Sequence, residues 1–203
     1  PAIVTADAPL ARTARRIVWG KFMNAGQTCI APDYLLVHAS IYAQFVEVLI
    51  QEIQKAYGTN PMASPDFARI INTRNWERLH AYLKDGELLY GGVSDRESRY
   101  IGPTLLGNPS RKSGVMQEEI FGPILPILTY TDVNTLDQWI NSFEKPLALY
   151  VFSASKSAAK TLFKRYAFGG GCINDTLLHF NNERLPFGGV GHSGVGSYHG
   201  RWG

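Results

Sequence analysis

Strand-like and helix-like stretches alternate along most of this chain, and that alternation limits its fold more than any other feature. Pro1 to Thr5 is a short apolar run, and Ala11 to Met23 then carries Ile17, Val18 and Phe22 at helical spacing among Arg12, Arg15, Arg16 and Lys21. Asp33 to His38 is again strand-like. Ser40 is placed to cap a helix on which Ile41, Phe45, Val48, Leu49 and Ile53 recur until Gly58. Ser64-Pro65 reads as a cap followed by a first-turn proline, with Phe67, Ile70, Ile71, Leu79 and Leu83 on the apolar side of a helical region ending near Gly86. Leu88 to Tyr90, Ile124 to Tyr130, Leu147 to Phe152 and Gly171 to Asn174 are strand-like, while Val133 to Ser142 and Lys156 to Tyr166 are helical. Strands separated by helical patterns of about 10 to 15 residues need crossover connections. The expected fold is therefore α/β, a mainly parallel sheet with helices on both faces.

Composition supports one domain. At 203 residues with 45% hydrophobic and 18% charged content, a chain buries about 70% of its unfolded surface and needs no metal or disulfide to hold a core. Twenty Lys plus Arg against seventeen Asp plus Glu leave a net +3, with the basic residues scattered, so nucleic acid is not expected as a partner. No apolar run approaches the roughly 18 residues of a membrane span, and no membrane partner is expected of this chain. Cys29 and Cys172 lie far apart with no C-x-x-C spacing, which rules out a zinc knuckle or a disulfide framework. Free thiols suit a reducing compartment, and the expected location is cytoplasmic. Asn174-Asp175-Thr176 matches a glycosylation sequon, which matters only in a secreted protein.

Four strings could carry chemistry. Cys29 follows a helix and a Gly26 turn, where a thiol can be both accessible and flanked by backbone N–H groups; a free cysteine is otherwise usually buried and inert. Cys172 sits in the apolar run Gly171-Cys172-Ile173 and reads as core. Glu118-Glu119-Ile120-Phe121-Gly122-Pro123 pairs carboxylates with an aromatic at a turn, a combination that suits a ribose diol and a planar ring, although a Glu pair is more often a solvated face. Pro186 to Gly203 holds seven glycines without a helical period and reads as a loop running close to other backbone. Within it Gly189, Gly191 and Gly194 satisfy G-x-G-x-x-G, but neither the preceding strand nor the acidic residue about 20 positions on is there. A cysteine near the start with His179 or His199 far downstream echoes a papain-like protease; Cys29, followed by Ile30-Ala31-Pro32, lacks that class's local sequence.

Phe22 to Asp33 (FMNAGQTCIAPD), Gln117 to Pro123 (QEEIFGP) and Pro186 to Gly200 (PFGGVGHSGVGSYHG), in this order, resemble the aldehyde dehydrogenase superfamily. Tyr57 to Pro61, Arg69 to Asn72, Lys145 to Tyr150 and Tyr198-His199-Gly200 resemble its class 3 branch, and the resemblance covers essentially all of residues 1–203. It implies that Cys29 is the nucleophile, forming a thiohemiacetal and then a thioester that water opens to a carboxylic acid. It implies further that the Cys29 N–H is an oxyanion donor, that Glu119 holds the nicotinamide ribose, and that Phe121 packs on the nicotinamide end of NAD or NADP. No metal is implied. The substrate class is an aldehyde, and a homodimeric parent is expected.

Relatives have a Glu-Leu-Gly-Gly-Lys-Ser just before the position of Pro1, whose Glu is the base for deacylation, and beyond it a dinucleotide-binding domain that binds most of the cofactor. They also extend past Gly203 in a tail. The resemblance therefore makes residues 1–203 a thiol-bearing catalytic domain of a longer enzyme, with the dinucleotide-binding domain and tail outside it and no turnover expected of the isolated chain. Two alternatives remain: a non-enzymatic binding module that keeps the fold, and an acylating enzyme that passes the thioester to coenzyme A.

Overall fold

A computed structural model describes residues 1–202; Gly203, the last residue of the expected glycine-rich loop, lies outside the described residues. Seven strands form one sheet in the order β3-β6-β7-β2-β1-β8-β9, where β1 is Ala2–Val4, β2 Leu35–His38, β3 Glu87–Tyr90, β6 Thr104–Gly107, β7 Ile124–Tyr130, β8 Ala148–Phe152 and β9 Gly170–Ile173. All neighbours run parallel except β3 against β6. A two-stranded hairpin, β4 (Ser94–Asp95) with β5 (Tyr100–Ile101), lies apart from it.

Every residue of β1 and β8 is buried, so the centre of the sheet is covered on both faces. This is why these strands read as continuous apolar runs and do not alternate. The register sets Ala2 between Leu35 and Tyr150, and Val4 between Val37 and Phe152. The long helices α1 (Leu10–Phe22) and α2 (Tyr42–Tyr57) pack on each other, burying Ile17, Val18 and Phe22 of one and Phe45, Leu49 and Ile53 of the other. Three helices begin at side-chain caps: Asn72 for α3 (Thr73–Tyr82), Asp132 for α4 (Val133–Ile140) and Ser155 for α5 (Lys156–Arg165). Gly58, at φ 76°, ends α2.

The structure corrects three sequence expectations. Ser40 does not cap α2: it lies in a 3-10 turn, Ala39–Ile41, and its own N–H donates to His38 Nδ1. The helix expected from Ser64-Pro65 starts only at Thr73. Residues 64–72 form an irregular segment whose Phe67 and Ile70 are buried, and whose polar backbone is satisfied at a distance, Ile70 N–H by Arg99 O and Ile71 N–H by Gln27 Oε1. Its apolar spacing reflected burial of a loop and not a helical face. Strand β6 was missed because Thr104–Gly107 is short and follows a proline. The last stretch is a loop as expected, with 3-10 turns at Gly191–Ser193 and Gly200–Trp202 and one antiparallel bridge between Phe187 and Tyr198.

Candidate functional site

A cleft of about 1070 Å³ opens where the parallel strands begin. Its wall includes Cys29, Ala31, Asp33 and Tyr34 ahead of β2, Phe121 ahead of β7 and Lys145 to Leu147 ahead of β8. Ligands of open α/β sheets usually lie beyond the carboxyl ends of the strands; here the cleft lies at the amino ends.

The cysteine is presented by a strained turn. Helix α1 stops at Phe22, and Asn24, Ala25 and Gly26 follow with φ of 52°, 52° and 73°. Left-handed backbone costs a non-glycine residue about 1 to 2 kcal/mol, and Ala25 is held there fully buried. A Cβ on Gly26 would sit 2.3 Å from Gly122 O, so only glycine lets these two segments meet backbone to backbone. The Gln27 carboxamide fastens the turn: Nε2 donates to Asn24 O and Arg69 O, each at 3.0 Å, and Oε1 accepts from Ile71 N–H at 2.9 Å. A turn from Thr28 to Ala31, closed by Ala31 N–H to Thr28 O at 3.0 Å, leaves Cys29 exposed while Ile30 is buried. Among the described residues the Cys29 N–H has no acceptor.

The glutamate-bearing segment is held from two sides. Arg78 on α3 donates to Ile120 O at 2.7 Å and Glu119 O at 3.2 Å, and Asp33 Oδ1 accepts from Ile120 N–H at 3.1 Å. Glu118 is engaged by the Tyr82 hydroxyl and by Arg78 at 3.7 Å. Phe121 takes φ 48°, which leaves its ring 39% exposed on the cleft wall. The Glu119 carboxylate has no hydrogen-bond donor among the described residues. Desolvation and the nearby negative Asp33 raise its pKa above the ordinary value, against the opposing charges of Lys21 and Arg78. Lys21, buried beneath, is pushed down to about 8 by desolvation, while Asp33 and Glu119 pull it up.

On the far side, Gly169, Gly188 and Gly189 approach other backbone so closely that a Cβ would lie 2.1 to 2.2 Å from a carbonyl oxygen. This packing carries His192 and Ser193 to the cleft, where His192 Nδ1 stands 3.3 Å from Glu144.

The structure thus brings Cys29, Glu119 and Phe121 to one cleft. Cys172, expected in the core, is half-buried on β9, with its Sγ 3.6 Å from His179 Nδ1. Burial raises the thiol and lowers the imidazole, so it favours the neutral form of each. No histidine pairs with Cys29 among the described residues, and the papain-like arrangement does not form. Sequence reasoning did not single out Asp33, Arg78 or Gln27 as anchors. Gln27 and Asp33 lie inside the FMNAGQTCIAPD string, whereas Arg78, one arginine on an amphipathic helix, gave no signal. Among the described residues no three His, Cys, Asp or Glu side chains gather as a metal would require, and no helix is long and apolar enough to cross a membrane.

Comparison with known proteins agrees with the geometry. The model of a family described as "Aldehyde dehydrogenase family" matches residues 1–203. The chain is 48% identical to mouse aldehyde dehydrogenase family 3 member A2, over 100% of this chain and 42% of that protein. It is 46% identical to the dimeric NADP-preferring aldehyde dehydrogenase of the dog, over 99% of this chain and 44% of that protein. The solved substrate-bound state of Staphylococcus aureus AldH superimposes with a TM-score of 0.96 at 46% identity, over 100% of this chain and 44% of that one. The chain spans less than half the length of these relatives.

Proposed function

The chain belongs to the aldehyde dehydrogenase family, and on that footing we propose that it carries the nucleophile of an NAD(P)-dependent enzyme oxidising aldehydes to carboxylic acids. The observation that carries this reading is the convergence in one cleft of an exposed Cys29, the Glu119 carboxylate, which has no donor among the described residues, and the exposed Phe121.

The Cys29 thiolate attacks the aldehyde carbon, forming an S–C bond as the carbonyl π pair moves onto oxygen. The Cys29 N–H, which has no acceptor among the described residues, donates to that oxyanion. A pyridine dinucleotide fits the residues present: Glu119 offers an acceptor for a ribose diol, and Phe121 a flat face for the nicotinamide end. The chemistry the dinucleotide supplies when bound is acceptance of the hydride from the thiohemiacetal carbon. Cys29 then holds the acyl group as a thioester until water opens it. Glu118 and Glu119 do not serve as base in that step: Glu118 is engaged by Arg78 and Tyr82, and Glu119 is assigned to the ribose.

In isolation these residues are expected to hold the thiol without turnover, because the relatives carry more than half their length outside the matched region. A dimer is the expected assembly, as the name of the dog relative states for that protein, and the reducing cytoplasm is the expected location.

The test uses the full natural protein. Cys29→Ser should lower dinucleotide-dependent oxidation of hexanal or benzaldehyde by about a thousandfold or more, while Cys172→Ser keeps it within about twofold. Undiminished turnover by Cys29→Ser would refute the assignment, and no turnover by the wild type would favour a binding module.

A further inference from the structure

Tyr150 lies in the middle of β8, fully buried, between Ala2 of β1 and Cys172 of β9. Nothing in the proposed chemistry uses it. That hydroxyl donates to Ile30 O at 2.7 Å and accepts from Leu177 N–H at 3.4 Å. Ile30 directly follows Cys29. Leu177 sits at φ 59° just before His179, whose ring lies 5.9 Å from Tyr150 and 6.2 Å from Phe187 of the glycine-rich loop. One hydroxyl in the rigid sheet therefore ties the cysteine turn to the segment that supports the opposite loop.

We infer that Tyr150 is a positioning residue for Cys29, its hydroxyl fixing the Ile30 carbonyl and through it the orientation of the thiol and its N–H. The inference rests on the reading of Cys29 as nucleophile. Its physical basis is that Cys29 is exposed and its side chain has no hydrogen-bond partner among the described residues. Its direction is set by its neighbours: Gln27 on one side, the buried Ile30 on the other. Without the Tyr150 hydroxyl the Ile30 carbonyl has no other donor among the described residues, and a buried unpaired carbonyl turns to find one. Burial raises the pKa of Tyr150 well above the usual tyrosine range, so the donor persists at any pH the protein experiences.

The experiment compares Tyr150→Phe with Tyr130→Phe in the full natural protein. Tyr130 is a buried tyrosine on β7 whose hydroxyl donates to Val4 O at 3.3 Å, away from the cleft. Both variants lose a buried hydroxyl and some thermal stability. Tyr150→Phe alone should lower kcat for hexanal by about ten- to a hundredfold with KM within about twofold. It should also change the rate at which iodoacetamide alkylates Cys29, read by peptide mass spectrometry, with Cys172 as internal reference. Placing 4-aminophenylalanine at position 150 keeps an N–H donor for Ile30 O and should restore kcat. If Tyr150→Phe does not fold, 4-fluorophenylalanine at that site removes the donor at nearly constant volume. An unchanged kcat and Cys29 alkylation rate in Tyr150→Phe, or an equal fall in Tyr130→Phe, would overturn the inference. Should the wild type oxidise no aldehyde, the functional reading fails by itself, and the alkylation comparison still decides the role of Tyr150.

Discussion

At the scale of single residues, the site depends on positions where ordinary side-chain choices fail. Gly26 combines φ 73° with a carbonyl oxygen 2.3 Å from where a Cβ would stand. Gly26→Ala should therefore cost about 1 to 3 kcal/mol in denaturant unfolding and alter Cys29 alkylation, since the turn cannot close on Gly122 unchanged. Lys21 illustrates the opposite tension, a charge held where burial disfavours it. Its pKa in the folded protein is about 8 against an ordinary 10.5, so between those values the unfolded chain binds more protons than the folded one. Stability from this group therefore rises as pH increases through that window. The full contribution is about 3 kcal/mol. Unfolding measured at about pH 7.5, below that window, and at about pH 9.5, inside it, should show part of this gain in the wild type and lose it in Lys21→Met.

At the scale of elements, α3 does two jobs. Its start depends on Asn72, whose Oδ1 accepts from Asn75 N–H at 2.8 Å, and Asn72→Ala should cost about 1 kcal/mol by thermal unfolding. Its Arg78 holds the backbone at Glu119 and Ile120, so Arg78→Met, which removes both charge-assisted bonds, should raise the KM for dinucleotide about tenfold. The sequence showed that a helix lay in this region but started it eight residues early, at Pro65 and not Thr73. Local pattern marks burial, whereas the bonds that shape residues 64–72 come from Gln27 and Arg99, which no window on that segment contains. Strands β1, β7 and β8 were legible because both their faces are buried, which leaves an unbroken apolar run. Cys29, Glu119 and Phe121 stood out as candidates in the local sequence, and only the resemblance attached roles to them. Their meeting in one cleft follows from sheet order, and the anchors Asp33, Arg78 and Tyr150 belong to tertiary structure.

At the scale of the whole molecule, rigidity should fall from the sheet centre to the cleft rim. Hydrogen exchange should find the slowest amides in β1, β2 and β8, and faster exchange from Thr28 to Ala31 and from Gly188 to Gly196, where backbone partners are few. Ile3→Ala, at a fully buried position between two parallel neighbours, should cost about 2 to 5 kcal/mol. The strand order carries a consequence for biosynthesis. β1, near the middle of the sheet, pairs with β8, so once made it waits for a partner synthesised far downstream. Such distant pairings form slowly, and synthesis proceeds at about 5 to 20 residues per second. Until residues 148–152 emerge, the nascent polypeptide displays an open apolar edge, a surface of the kind chaperones cover.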